Sequence, residues 1–192
     1  MKKYFILLTC VTCTFFLSAQ ENYKLLMSKI QIAGTSTLHD WTADVVKYDG
    51  TATLNFTNKT LTGIKSLTLK MDAGTLKSKK GSTMDKNMYK ALKTDQYPSI
   101  TFTLTKVAPV SGNKVNAEGE LTIAGTSHTI TILASSIYDA NGQWIFTGSK
   151  TLKMTDYNVE PPVVLFGTLK TGNEITITFE TTFASMDGLT QK

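Results

Sequence analysis

The feature that most constrains this chain is a period-two alternation of apolar and polar residues that recurs along most of its length. Residues 99–105 read SITFTLT, with apolar side chains at every second position and hydroxyl side chains between them. Successive residues of a β-strand point to opposite faces, so this alternation predicts half-buried antiparallel strands. We predict an all-β fold of about eight strands. The predicted strands span 28–37, 41–56, 61–73, 99–107, 115–124, 128–138, 143–154 and 173–184.

Turn-forming residues separate these runs. The predicted turns contain Asp49-Gly50, 111–113, 125–127, Asn141-Gly142 and 171–173. Glycine and asparagine favour tight turns because they tolerate positive φ. A sheet with one apolar face must cover that face, either by folding into a sandwich or by closing into a barrel, and closure also removes exposed edges. No linker or low-complexity tract divides the strands, which favours one domain.

A five-residue sequence, IAGTS, occurs at Ile32–Ser36 and again at Ile123–Ser127. A duplicated catalytic or metal element, a repeat architecture and a β-bend used twice would each explain it. The histidine that follows stands at a different distance from the glycine in each copy, and the similarity stops at the pentapeptide. We therefore favour a shared bend, a hairpin in the second copy and a kinked strand near Gly34 in the first.

One segment departs from the period of two. In residues 82–93, Met84, Met88 and Leu92 recur at every fourth position, which predicts a short amphipathic helix. Either of the two hydroxyl residues at its start is expected to cap the N-terminus, and Asp85 lies in the first turn, where the helix dipole favours an acid. The helix falls between the third and fourth predicted strands, where it could plug or cover one end of a barrel.

The N-terminal segment is predicted to be a signal peptide. A basic head is followed by an apolar run from Tyr4 to Leu17 and by small residues that end at Ala19. We therefore assign 1–19 to the signal and 20–192 to one exported domain, periplasmic or secreted. Both cysteines, Cys10 and Cys13, fall in the signal, which excludes disulfides, cysteine nucleophiles and thiolate zinc sites from the rest of the chain.

Charge and motifs exclude further classes. The formal net charge is +5, but every basic residue is lysine and none is arginine, the side chain best suited to phosphate and base recognition. Nucleic-acid binding is therefore not expected, whereas transient contact with an anionic membrane surface remains open. No nucleophile-elbow, zinc-protease, phosphate-loop or dinucleotide motif is present.

The cluster that most suggests catalysis or metal binding is His39-Asp40-Trp41. On a strand, His39 and Trp41 would share a face and Asp40 would point away, so a histidine–aspartate pair is geometrically poor. A zinc site needs three or four ligands, and His128 is the only other histidine. We therefore predict no catalytic residue, metal or cofactor, and we place His39 and Trp41 as an amphipathic patch at the mouth of a barrel.

Several longer stretches resemble a known family. They are GTSTLHDW (34–41), MDKNMYKALKTDQYPSITF (84–102), GELTIAGTSHTITI (119–132), KMTDYNVEPP (153–162) and GTLKTGNEITITFE (167–180). In this order and spacing they resemble the YceI-like family of bacterial periplasmic polyisoprenoid-binding proteins, over about 28–184. Met84 and Thr155 stand where many members have arginine, and Asn158 stands where they have glycine.

The resemblance implies an elongated, lipocalin-like antiparallel barrel that holds a long isoprenoid or a similar amphiphile. The helix and the strand after Tyr97-Pro98 would border its tunnel. For the helix side chains, a role in ligand contact and a role in closing the core both remain open. The residues that we predict to contact ligand are His39, Trp41, Met84, Met88, Tyr89, Leu92, Phe102, Leu104, Leu121, Ile123, Ile177 and Phe179.

The leading hypothesis is an exported carrier that binds one lipid chain in an apolar barrel. One alternative is an enzyme that acts on an amphiphile through His39 or His128. The other is an envelope stress module that binds a protein partner. The sequence leaves the identity of the lipid and a homodimer open.

Overall fold

The computed structural model describes residues 19–164 and 167–186, and these residues form one closed β-sheet structure. The predicted signal peptide lies almost entirely outside the described residues and stays a prediction. The strands are β1 (Ala19–Ser36), β2 (Trp41–Asp44), β3 (Tyr48–Thr57), β4 (Thr60–Asp72), β5 (Lys77–Ser78), β6 (Ser99–Val107), β7 (Lys114–Ile123), β8 (Thr126–Tyr138), β9 (Trp144–Lys153), β10 (Val163–Val164) and β11 (Leu169–Ser185).

Short helical elements connect some of the strands. The α-helix α1 (Ser82–Leu92) lies between β4 and β6 in the chain, and short 3-10 helices follow β4 at Ala73–Thr75 and β9 at Met154–Tyr157. Within the described ranges, no helix is both long and apolar enough to cross a membrane.

The sheet closes because its first and last long strands pair. β1 runs antiparallel to β11 along most of its length, with Ile30 opposite Phe179 and Ile32 opposite Ile177. One half of β1 also pairs with β3 and the other half with β2. Together, β2 and β3 therefore occupy a single strand position of the barrel, which is interrupted at 45–47. The predicted eight-stranded antiparallel barrel with one helix is therefore confirmed.

The barrel interior contains two hydrophobic clusters. The first, which we call the packed half, is centred on aromatic side chains and lies toward the end where β3 meets β4 and β8 meets β9. Its buried members are Tyr23, Leu25, Ala52, Leu54, Leu61, Val115, Ala117, Trp144, Phe146 and Phe183. The second, which we call the cavity half, lies toward α1. Its buried members are Ile30, Val45, Met71, Ala73, Leu76, Ile100, Phe102, Leu121, Ile123, Ala124, Ile130, Leu152, Met154, Tyr157 and Val159.

The two IAGTS copies form the hairpin and the kinked strand that the sequence predicts, although the two conformations are not one bend used twice. The second copy makes a tight hairpin in which Ile123 pairs with Thr126, and Ala124 and Gly125 have φ of 47° and 77°. The first copy lies within β1, where the register with β11 shifts beside Gly34, as the predicted kink requires. Gly34 serves a different purpose there, because a Cβ at this position would overlap the indole of Trp41.

Other predicted turns also differ from the structure. Gly50 lies inside β3, and 171–173 lie inside β11. At Gly50 a Cβ would come within 2.7 Å of the side chain of Leu69, so the glycine accommodates a neighbouring strand rather than a reversal. At Asn141-Gly142 the chain does turn, but only Gly142 has positive φ, and the Asp139 carboxylate holds the loop through the backbone NH groups of Asn141 and Gln143.

Candidate ligand-binding site

A cavity of about 420 Å³ lies mainly in the cavity half of the barrel and reaches Val115, Ala117 and Phe146 of the packed half, and apolar side chains form nearly all of its wall. Side chains from strands on opposite sides of the barrel and from α1 line the cavity together. A volume of this order falls within the range of roughly 300–1,000 Å³ that is typical of small-molecule sites. The inner face is therefore not completely filled by the protein's own atoms.

The six wall residues predicted from the strand pattern all line this cavity. They are Phe102, Leu104, Leu121, Ile123, Ile177 and Phe179. Opposed strand positions point to the same side, and Phe102 stands opposite Leu121 in the β6–β7 ladder. The Phe102 ring lies over Gly119, where any Cβ would collide with it, so the glycine leaves room for a large ring on the wall.

The helix contributes one apolar face to the cavity. Met84, Met88 and Leu92, spaced four residues apart, line it, as does Ala91. Tyr89 is the exception among the predicted site residues, because it does not line the cavity. Its ring packs against the core and its hydroxyl donates a hydrogen bond to the Leu76 carbonyl at 2.6 Å, so it fastens the helix to the segment before it.

A buried carboxylate also anchors the helix. Asp85 is 4% exposed and accepts hydrogen bonds from the Ser78 backbone NH at 2.7 Å and from the Lys77 ammonium at 3.1 Å. The Ser78 hydrogen bond and the nearby Lys77 charge hold the pKa of the Asp85 carboxyl below its usual value, although burial opposes them. The predicted capping by Ser82 or Thr83 is wrong: Gly81 is the N-cap residue, and no side chain caps the helix.

His39 and Trp41 both line the cavity, but they differ in exposure and in role. Trp41 begins β2, is 8% exposed, and donates from its indole Nε1 to the Thr35 carbonyl at 3.1 Å. His39 is exposed in the preceding loop rather than on a strand, and its Nδ1 lies 3.1 Å from the carbonyl oxygen of Asp40. The expectation that the two share one face of a strand is therefore wrong, although both lie at the cavity.

His128 lies elsewhere. It is exposed on β8, its Nε2 lies 2.7 Å from the Asp156 carbonyl oxygen, and its ring meets the Tyr157 ring edge-on at 5.1 Å. It does not line the cavity, so the two histidines are not brought together there. Nowhere in 19–164 or 167–186 do three His, Cys, Asp or Glu side chains cluster in a way that could hold a metal.

The sequence reasoning missed several lining residues, of which Lys150 is the most unusual. The neighbouring strand β11 contributes Ile175, which the alternation with Ile177 already indicated. On β9, the inner positions continue from the buried Phe146 to the buried Leu152, and Lys150 falls on the same face between them. The signal in the sequence was a charged residue at a strand position where the alternation places apolar side chains, and the sequence reasoning did not use it.

Tyr157 lines the cavity with its ring, and burial raises the pKa of its phenol. Its hydroxyl has no hydrogen-bond partner among the described residues. The next residue, Asn158, has φ of 54°, a left-handed conformation that asparagine tolerates better than most residues other than glycine. This explains how asparagine can occupy a position where the family pattern has glycine.

Comparison with known proteins identifies the fold and the family. BcnA of Burkholderia cenocepacia superposes with a TM-score of 0.66 at 21% identity, over 81% of this chain and 95% of that chain. A polyisoprenoid-binding domain from Saccharophagus degradans, described as implicated in plant cell wall breakdown, gives 0.64 at 13% identity, over 85% and 98%. A YceI protein of Campylobacter jejuni gives 0.59 at 21% identity, over 74% and 83%.

These structures are distant in sequence and establish the barrel fold. No curated protein sequence matches the chain. The model of the YceI-like domain, in contrast, matches residues 18–183, which include the helix and all of the barrel strands except the last two residues of β11. The chain therefore belongs to the YceI-like family.

Proposed function

We propose that this protein is an exported carrier that holds one long-chain isoprenoid or similar amphiphilic lipid in the cavity half of its barrel. The observation that carries the proposal is the apolar cavity of about 420 Å³ between the strands and α1. Export rests on the signal-like segment 1–19 in the sequence, and the protein would act in the periplasm or outside the cell.

Burial of the lipid tail supplies the affinity. Each CH₂ group removed from water contributes about 0.8 kcal/mol, so a tail of about ten carbons contributes about 8 kcal/mol before the cost of association. The methionines at 84 and 88 suit this role, because an unbranched, flexible thioether adapts to different chain shapes. Family membership and the polyisoprenoid-binding character of the Saccharophagus relative point the same way, toward binding rather than catalysis.

Native mass spectrometry of the protein purified from the bacterial envelope tests the proposal. We expect a population that carries one lipid-sized adduct, which organic extraction releases and identifies. Ala91→Trp places an indole in the cavity from α1 and should reduce that population at least several-fold. Lys90→Trp, next to it on the exposed face of the same helix, is the matched control and should keep the adduct.

Protein without any adduct, even after incubation with a total lipid extract, would contradict the carrier function. An enzyme acting through His39 predicts instead that lipid is converted during the incubation and that His39→Ala abolishes the conversion. A carrier keeps its lipid stoichiometry in His39→Ala, because the ring is exposed and contacts only backbone through its polar atoms. Capture of a stoichiometric protein partner by lipid-free protein would favour the envelope stress module.

A further inference from the structure

The wall of the cavity contains one lysine on the inner face of a strand. Lys150 stands opposite Ile177 in the β9–β11 ladder, and both line the cavity. The residues on either side of it in the chain, Ser149 and Thr151, are exposed on the outer face. Lys150 is only half-buried, and its burial alone does not fix the direction of its side chain. That direction follows from the alternation, the register and the cavity lining together.

The charges around the cavity all have one sign. Lys80 and Lys153, both exposed, line it near α1 and near the end of β9, and they join Lys150 there. Of the described residues that line the cavity, none is aspartate or glutamate. Within the same described part of the chain, Lys150 makes no ion pair and no hydrogen bond.

An ammonium group without a partner beside apolar side chains loses hydration and gains nothing in return. The cost of this lost hydration is reduced when the flexible side chain extends its ammonium toward water, or when the ammonium binds an anion inside the site. The second solution uses the cavity, because a charge-assisted hydrogen bond between an ammonium and an anionic oxygen is strengthened where water is excluded.

Building on the proposed function, we propose that Lys150 selects single-chain amphiphiles with a monoanionic head group, of the fatty-acid carboxylate class. The ammonium of Lys150 binds the carboxylate, and the apolar wall around Phe102, Leu121 and Ile177 takes the tail. One inward cation matches one negative charge. The cavity volume of about 420 Å³ lies toward the small end of ligand sites, which suits one tail rather than a two-chain lipid.

Calorimetric titration of delipidated protein with dodecanoate and with dodecanol tests this assignment, since the two ligands share a tail and differ in charge. We expect dodecanoate to bind about tenfold or more tightly than dodecanol. Lys150→Met, which keeps the length of the side chain but removes the charge, should reduce this ratio to near one, chiefly by weakening dodecanoate. Lys70→Met, on the outer face of β4 and away from the cavity, is the control and should preserve the ratio.

Four outcomes would overturn the assignment. The first is a ratio unchanged by Lys150→Met in protein that unfolds as cooperatively as the wild type. The second is competition by acetate at equal concentration, which would indicate a site for free anions. The third is a Lys150-dependent preference for dodecyl phosphate over dodecanoate, which would contradict a monoanionic head group. Equal binding of dodecanol and dodecanoate to the wild type refutes the charge selection but leaves the carrier function standing, whereas failure of both to bind refutes the carrier function itself.

Discussion

The packed half and the cavity half of the barrel are built from the same strands and the same alternating pattern, yet most of the cavity lies in only one of them. On β11, Phe183 is 0% exposed in the packed half, while Phe179, four residues earlier on the same face, is half-buried beside the cavity. In the packed half, aromatic rings on neighbouring strands pack against one another: Phe146 meets Phe183 at 6.0 Å, and Trp144 meets Tyr138 at 5.1 Å.

In the cavity half, two phenylalanine rings lie against glycines instead of against other rings. Phe179 lies over Gly148, and Phe102 lies over Gly119, so these side chains occupy the space that a Cβ would otherwise take. The face of α1 that carries Met84 and Met88, rather than a strand, covers this end. The comparison teaches that alternation identifies the inner face of a barrel, whereas the placement of rings and glycines decides whether that face encloses a space.

The largest effect should come from truncating the two phenylalanines of β11. Phe183→Ala should lower the free energy of unfolding by about 3–5 kcal/mol, because a fully buried ring leaves a cavity that the surroundings cannot refill. Phe179→Ala should cost about half as much, because one side of its ring already faces empty space. Urea unfolding of the two lipid-free variants measures both values. Equal costs would show that the two halves are packed alike.

Gly148→Ala should have the next largest effect on the free energy of unfolding. A Cβ here would lie 2.6 Å from the Phe179 ring and 2.8 Å from the Leu133 carbonyl oxygen, and the second of these is backbone that cannot easily move. Overpacking of this kind costs about 1–3 kcal/mol. Gly63→Ala, whose nearest neighbour would be the Asn55 side chain at 3.7 Å, is the control and should change the unfolding free energy much less. A neutral Gly148→Ala would indicate that the ring has room to shift into the cavity.

Asp85→Asn tests how the cavity half keeps its helix. The pKa of Asp85 is lower in the folded protein than in the unfolded chain, so its charge stabilises the fold above about pH 4 and the contribution disappears as the pH falls through the folded value. At neutral pH the variant should be less stable by about 1 kcal/mol, because one charge-assisted hydrogen bond is lost. The difference between the two proteins should shrink below about pH 4. Thermal unfolding across that pH range measures the difference in stability. A difference that persists at lower pH would show that the charge of the carboxylate is not its cause.

Tyr157→Phe should have the smallest effect and the opposite sign. The Tyr157 hydroxyl is buried without a partner among the described residues, and removing such a group is neutral or stabilises by up to about 1 kcal/mol. Chemical denaturation measures the change. A clear loss of stability would mean that the hydroxyl has a partner in solution.

Much of this architecture could be predicted from the sequence. The alternation located the strands and the inner faces, and the four-residue spacing located the helix to within one residue of its end. The glycines were harder to interpret, because the same residue serves a positive-φ turn at Gly125 and a close approach inside a strand at Gly50. Only the partner strand distinguishes the two uses, and its side chains are distant in sequence.

The candidate site was predictable in outline, and its polar features were not. The wall residues followed from alternation, but Tyr89 could not be separated from the methionines of its helix without the Leu76 carbonyl that it reaches. Lys150 was overlooked because isolated lysines in a strand of threonines and serines usually face water. Its inward direction depends on the register with β11, which local sequence does not specify.

The most direct test of the central claim uses the two tryptophans, because one lies in each half. Trp41 lines the cavity, whereas Trp144 is 2% exposed in the packed half and does not line it. A long-chain lipid brominated along its tail quenches indole fluorescence on close contact. It should therefore quench Trp144→Phe protein, which retains only Trp41, and largely spare Trp41→Phe protein, which retains only Trp144. Equal quenching of the two, or quenching of Trp144 alone, would contradict a lipid held in the cavity half of the barrel.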